Sequence, residues 1–456
     1  MSGTLDMTKG KIVSQLLIVA MPLIICDFIQ QLYNTIDAFI LARFTSAINF
    51  AALGIAETYV NLFTFIVIGI CVGSSVILSA QFGAKRLDYF RQEMFISLSF
   101  GLAVTLLLSL VGYVSLTPSL VLLNTPDTLI PLTVSYMQIF LLGLIFTFLY
   151  NYGVSVLRSV GNTKTSALIL FISLILKCGF SYFFIVYFKL GITGAAYGTI
   201  CTQATACLLF FLYIKNALPQ LLFTKIDMVW NKVLVKQTIS YGTMTALQQS
   251  SLYLGKILIQ NAINGLGTAV IASFAAATRL ESFINILGNS GAAAISVFVA
   301  QNNGAHQEKR AFQGFFKGSL MLCVFGSALA ALLYVGATDG LAFFLGKAGP
   351  GLTEGVRYLH AICPFYVLCY MGSSFVGLFR GFGFINVVFW GTTLQISSRV
   401  ILSNMYAQQY GLTAIGYITA LGWLLIVSYQ LIMYHKHFKA IHLKNGTSVS
   451  TLPTVQ

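Results

Sequence analysis

The sequence predicts an all-α integral membrane protein with twelve transmembrane helices in two six-helix lobes related by a parallel internal duplication. Three observations carry that prediction. Of the 456 residues, 57% are hydrophobic and only 8% charged, with a mean hydropathy of +0.85, which is outside the range of soluble globular chains. Apolar runs long enough to cross a bilayer recur from one end of the chain to the other. Short motifs in the first half return in the same order in the second.

The runs place spans at approximately 14–42, 52–80, 93–117, 131–157, 165–188, 192–214, 234–264, 269–300, 312–337, 355–379, 386–408 and 412–434. The first is of full spanning length and holds Pro22, Asp27 and Asp37, so it reads as a span rather than a cleaved signal segment. On a helix, Asp27, Gln30, Gln31, Asn34 and Asp37 share about one third of the circumference, a polar stripe that needs a partner or a cavity. A carboxylate at hydrocarbon depth is costly, and Pro22 weakens the same helix about four turns away, so Asp37 and Pro22 together read as a titratable group coupled to a hinge.

Eighteen Lys and Arg lie in connections on the side of the N-terminus, among them Lys85, Arg86, Arg91, Arg158, Lys164, Lys309, Arg310 and Arg380. Only Arg43, Lys189, Lys347 and Arg357 lie on the other. The bias puts both termini in the cytoplasm, which requires an even number of spans. It also explains the net charge of +14 without nucleic acid as a partner. The eight cysteines sit singly inside apolar runs, away from any metal-ligand spacing, and read as small packing residues.

The repeats run through six spans. Ala80-Gln81 and Gly83-Ala84 return as Ala300-Gln301 and Gly304-Ala305, and Leu32-Tyr33 returns as Leu252-Tyr253. Arg158-x-x-Gly161 matches Arg380-x-x-Gly383, and the segment from Gly191 to Tyr197 matches that from Gly411 to Tyr417. Because six is even, both copies have the same orientation, and substrate is expected at their interface. The expected organisation is an N-lobe over 1–214, a cytoplasmic linker with the start of span 7 over 215–236, a C-lobe over 237–440, and a disordered tail over 441–456.

In this order, these residues resemble the MATE (multidrug and toxic compound extrusion) transporters, specifically the prokaryotic branch named for DNA-damage induction. The resemblance rests on Pro22 with Leu-Tyr-Asn-x-x-Asp ending at Asp37, on Gln81-x-Gly-Ala and its repeat at Gln301, on Arg158 to Lys164, and on Gly191-x-x-Gly-Ala-Ala with Thr199. It implies two lobes in a V around a central cleft. It also implies antiport of amphiphilic, often cationic compounds across the cytoplasmic membrane against inward H+ or Na+. Asp37, with Asn34 and Thr199 nearby, matches the position that takes up the coupling cation, and Pro22 matches the residue about which the first helix bends. A monomer without cofactor, metal site or catalytic residues is expected.

The departures from the family pattern are informative. The N-lobe Na+ site of this branch uses Asn and Asp in span 5, and here those positions are Lys177 and Ser181. An ammonium cannot ligate Na+, so H+ is the expected coupling ion and Na+ the less favoured one. The acids that the other branch uses in spans 7 and 10 are absent. Buried charges should pair, which predicts Asp37 with Lys177 and, at similar depth on either side of a turn near Asn264, Lys256 with Glu281. Arg399 stands where the duplication places a counterpart of Lys177. Gln31, Tyr33, Tyr150, Tyr253, Lys256, Glu281 and Phe283 are candidate cleft residues, although core packing or lipid contact is the commoner use of such aromatics.

Enzyme readings do poorly. Gly340 to Ala348 is only a superficial phosphate loop, lacking the Ser or Thr, and no His is paired with a carboxylate at catalytic spacing. The competing reading within the superfamily is a flippase for lipid-linked saccharides. That requires a strongly cationic cleft, whereas here the buried charges are mixed. A channel or a non-transporting scaffold is the alternative from another class.

Overall fold

The computed structural model describes residues 4–122, 125–346 and 349–443, without the side chains of residues 33–35, 47 and 439–443. The tail predicted to be disordered therefore lies outside the described residues from 444 onward, as do Lys347 and Ala348 of the apparent phosphate loop. Every regular element among the described residues is helical: α1 (Ile12–Phe44), α2 (Ala47–Gly83), α3 (Leu87–Leu122), α4 (Ile130–Ser159), α5 (Thr163–Tyr182), α6 (Ile192–Ala217), α7 (Lys232–Asn264), α8 (Thr268–Gly304), α9 (Glu308–Val335), α10 (Ala337–Leu345), α11 (Pro350–Ile362), α12 (Tyr366–Gly381) and α13 (Ile385–Leu443).

Ten segments are long and apolar enough to cross a membrane, with α11 and α12 counting as one. Two more spans follow from the chemistry of the remainder. The 33-residue α7 is long enough, but Lys232, Lys236, Lys256 and several glutamines dilute its hydropathy. The 59-residue α13 is broken at Gly411, whose φ of 68° and ψ of −159° no helix contains, so it is two spans in sequence. This reproduces the predicted boundary between 408 and 412. On α3, Leu106, Leu107, Leu110 and Val114 are each more than half exposed, an apolar face made for lipid.

The helices form two compact units: Met1–Asp6 with Met21–Gln249, and Met7–Ala20 with Ser250–Gln456. In unit 1, α4 is central and packs on α2, α3, α5 and α6. The first half of α7 belongs to this unit and lies against Gly69 and Gly73 of α2, where a Cβ would stand 2.3 Å from Ala246 Cα and 2.6 Å from the Tyr241 carbonyl oxygen. That Gly-x-x-x-Gly face lets two backbones touch, as membrane helices do when apolar burial alone gives no driving force. In unit 2, α8 and α12 pack on each other and on α9, with α11 and α13 beside them.

The duplication is written in the backbone as well as in the sequence. Left-handed φ values occur at Lys85 (59°) and His306 (57°), at Gly161 (74°) and Gly383 (82°), and at Gly191 (58°) and Gly411 (68°). Each pair stands at equivalent places in the two copies. Lys85 and His306 carry side chains in that region, which costs energy outside glycine, so the turn geometry rather than the residue type is what the copies share.

Residues 215–236 fold back on unit 1 through two 3-10 turns, Pro219–Leu221 and Lys225–Asp227. Asp227 closes a capping box with Thr224 and accepts a 3.0 Å ion pair from Arg91 Nε of α3. Burial acts to raise its carboxyl, but the bonds from Thr224 and Arg91 prevail and hold it below the usual carboxylate range. Phe95, Phe223 and Trp230 pack edge to face beside it.

Candidate functional site

Asp37 lies about two turns before the end of α1 and is 8% exposed. Lys177, fully buried in α5, donates to Asp37 Oδ2 at 2.5 Å. Ser181, one turn further along the same face of α5, donates to Asp37 Oδ1 at 2.7 Å. The Thr199 hydroxyl of α6 lies 3.3 Å from Asp37 Oδ2 and 3.0 Å from the Ala195 carbonyl, and it accepts a short hydrogen bond from Lys177. Three helices thus converge on one carboxylate, and both of its oxygens are occupied by donors.

Local sequence explains the convergence. Asn162 starts α5 by accepting from Thr165 N, and its amide donates to Tyr213 of α6 at 2.9 Å, so the Gly161-Asn162 motif fixes how α5 leaves α4. Gly198 brings α6 against α5. A Cβ there would stand 2.7 Å from Ser181 Oγ and 3.1 Å from Ser181 Cα. The cluster is therefore held by packing as well as by charge.

Chemically it is an ion pair in a low-dielectric site, stable while both members keep their charge. Sodium entering here would have to displace an ammonium and would find a hydroxyl at position 181 in place of a second carboxylate. A proton needs only to reach Asp37.

The other candidate residues are dispersed. Pro22 is buried within a continuous α1, and Gln31 is exposed on that helix. Tyr33 and Asn34 lie in α1, but their side chains are outside the described residues. Tyr150 is buried in the core of unit 1 with its ring edge to face against Phe210 at 6.0 Å, so it lines no open surface. Tyr253 is half-buried, whereas Phe283 is exposed.

The predicted ion pair between Lys256 and Glu281 is not formed. Ion pairs among the described residues include Arg91–Asp227, Lys177–Asp37 and Arg357–Glu354, and neither Lys256 nor Glu281 takes part in one. Lys256 is exposed on α7, while Glu281 faces Tyr358, Tyr366 and Arg399. The two residues lie on adjacent helices of one unit, as expected, but their charged groups do not meet within ion-pair distance.

One buried acid was missed. Glu93, taken as the first residue of its span, lies almost two turns inside α3 and has no exposed surface. Its two carboxyl oxygens are 3.0 and 2.9 Å from the Thr238 hydroxyl of α7, which also lies 2.8 Å from the Leu234 carbonyl. No cation pairs with it among the described residues. A charged residue beginning an apolar run gave the only signal.

An all-helical chain with a duplicated frame, many spans and a buried acid–base cluster inside one copy is a polytopic membrane transporter. More specifically, the chain belongs to the MatE family, whose model matches residues 22–183 and again 245–405. It is 28% identical over 394 residues to the probable multidrug resistance protein YpnP of Bacillus subtilis, covering 83% of this chain and 84% of that one. It is 26% identical over 348 residues to a protein of Shewanella oneidensis named FAD transporter, covering 73% and 74%. Among solved structures, MATE in the bent conformation superposes with a TM-score of 0.90 at 17% identity, covering 98% of this chain and 100% of that one. An outward-facing multidrug resistance MATE transporter gives 0.86 at the same identity, covering 97% and 99%.

Proposed function

We propose that this protein is a proton-coupled antiporter that exports amphiphilic, often cationic compounds across the cytoplasmic membrane by alternating access. It acts as a monomer with both termini in the cytoplasm, and its N-lobe of residues 1–214 does the coupling. One observation carries the coupling: Lys177 and Ser181 occupy both oxygens of Asp37, so the carboxylate is neutralised by a proton more readily than by Na+. Protonation removes the electrostatic tie between α1 and α5. The first helix, already lacking one backbone donor at Pro22, is then free to bend and expel the substrate. A cationic substrate competes with Lys177 for the same carboxylate, which supplies the exchange an antiporter requires. The multidrug resistance names of several relatives support the substrate class.

The test is transport in proteoliposomes under an imposed pH gradient or an Na+ gradient alone, with a lipophilic dye, an antibiotic panel and FAD as substrates. Transport of a dye under the pH gradient and not under the Na+ gradient is expected, and Asp37→Asn should abolish it. Activity driven by Na+ with no pH gradient would overturn proton coupling. Inactivity towards the whole panel would favour the flippase, and flux without any gradient a channel.

A further inference from the structure

The segment that joins α6 to α7 carries a pattern that the transport cycle does not use. Ile226 is 87% exposed, and Met228, Val229 and Trp230 next to it are 45%, 50% and 59% exposed. Lys215, Lys225, Lys232 and Lys236 stand exposed around them. The one acid between 215 and 236 is Asp227, and it is buried. The outward surface of the segment thus combines four cations and four large apolar side chains with no carboxylate of its own.

The local fold fixes this arrangement. Thr224 and Arg91 hold Asp227 inward, and Leu218 and Leu221 are fully buried at the first 3-10 turn. Val229 N then donates to the Asp227 carbonyl at 2.8 Å and Asn231 N to the Val229 carbonyl at 3.0 Å, so the residues that follow are tightly turned. Trp230 rests edge to face on Phe95, with ring centroids 5.3 Å apart, and the remainder of its indole stays outside. Asn231 Oδ1 accepts from Val233 N at 3.0 Å and starts α7, on which Lys232 and Lys236 share one face.

Position and charge name the partner. Two spans leave the bilayer here, α6 at Ala217 and α7 at Lys232, so the segment lies at the level of the headgroups. A contiguous apolar cluster left in water is costly, and a second copy of the same surface would set lysine against lysine. An anionic leaflet meets both requirements. Its acyl chains take up the apolar side chains, its phosphates meet the lysines, and an indole is at home between the two.

We propose that residues 215–236 form a docking surface for the anionic phospholipids of the membrane face where α6 ends and α7 begins. Ile226, Met228, Val229 and Trp230 enter the interface, and the four lysines select the headgroup charge. The surface is independent of the export reading and of the coupling ion.

Trp230 itself is the reporter. Its emission is the difference between wild type and Trp230→Phe, measured on the full-length protein in nanodiscs that mix phosphatidylcholine with phosphatidylglycerol. One preparation has phosphatidylglycerol brominated high on its acyl chains, and the other has phosphatidylcholine brominated at the same place. Per mole of brominated lipid, phosphatidylglycerol is expected to quench Trp230 roughly fivefold more than phosphatidylcholine, the share of one lysine at an anionic surface. Lys215→Gln, Lys225→Gln, Lys232→Gln and Lys236→Gln together should bring that ratio to unity. The same four positions changed to Arg keep the charge and should keep the preference, which separates loss of charge from loss of fold. Equal quenching by the two lipids in the wild type, or a preference that survives the four glutamines, overturns the proposal. So does a Trp230 that acrylamide reaches from water and neither brominated lipid quenches. A Trp230 shielded from acrylamide and from both lipids would show that protein covers the segment instead, which also overturns it.

Discussion

Ser181 donates to Asp37 Oδ1 at 2.7 Å while Lys177 holds Oδ2, so the residue standing where a second carboxylate was expected is itself part of the cluster. The pair should behave as a unit. Asp37→Asn and Lys177→Met are each expected to destabilise the protein by ~3–5 kcal/mol, because each leaves the other charge buried alone. The double variant should recover much of that loss in a detergent melting series. Additive losses would show that the two do not depend on each other.

Restoring ligands should change the ion. Lys177→Asn combined with Ser181→Asp removes the ammonium and supplies the missing carboxylate. Dye transport by this variant is expected to respond to an Na+ gradient, to which the wild type is indifferent. Equal indifference in both proteins would show that these two positions do not set ion choice.

Gly198→Ala tests the packing behind the cluster. The new methyl would stand 2.7 Å from Ser181 Oγ, so α6 must move away from α5 or the Ser181 bond to Asp37 must break. A loss of ~1–3 kcal/mol is expected, with reduced transport. Gly194→Ala would not serve as a control, since a Cβ there also meets backbone atoms of Phe184. Gly179→Ala on α5 does serve, having nothing within 4 Å, and should be near neutral.

Thr238→Val removes the hydroxyl on which both Glu93 oxygens converge. Stability should fall by ~1–3 kcal/mol, the cost of an unsatisfied buried polar group. Adding Glu93→Leu to Thr238→Val should restore part of it, since both partners are then apolar. No restoration would mean that Glu93 has a role beyond this contact.

Between α6 and α7, the pH dependence has a definite sign. The folded carboxyl of Asp227 is held below its unfolded value, so its bonds to Thr224 and Arg91 contribute stability that is complete above about pH 4 and is lost as pH falls through the lowered folded value. The difference in melting temperature between wild type and Asp227→Asn should therefore be constant from about pH 7 to 5 and shrink on acidification below about pH 4. A difference that grew in acid would contradict the depressed carboxyl.

Much of this was legible in the sequence because the bilayer permits few structures. Apolar run length gave the spans, and the break at Gly411 was visible as a repeat of Gly191 even though the helices on either side follow each other without an intervening loop. Asp37 and Lys177 were legible as a pair because each is costly alone. Glu281 was misread because its neighbours Tyr358 and Tyr366 come from another span, and depth along a helix says nothing of direction around it. Glu93 was missed because α3 begins at Leu87, six residues before the apolar run seemed to start, and its partner Thr238 is 145 positions away. Such contacts leave no periodic trace.

The earliest part of the chain has a late destination. Met7 N donates to the Gln301 side chain at 3.0 Å, its carbonyl accepts from Asn302 and Arg310 at 3.1 Å each, and Arg310 also reaches Gly10 and Gln15. On a ribosome these partners emerge almost 300 residues after Met7, a wait of roughly 15–60 s at ordinary elongation rates. Leu5 finds its partner sooner, donating to the Val160 carbonyl at 2.9 Å, but Met7 lacks its own partners throughout that interval. Biogenesis, more than the finished molecule, is where changes at Gln301 and Arg310 should first be felt.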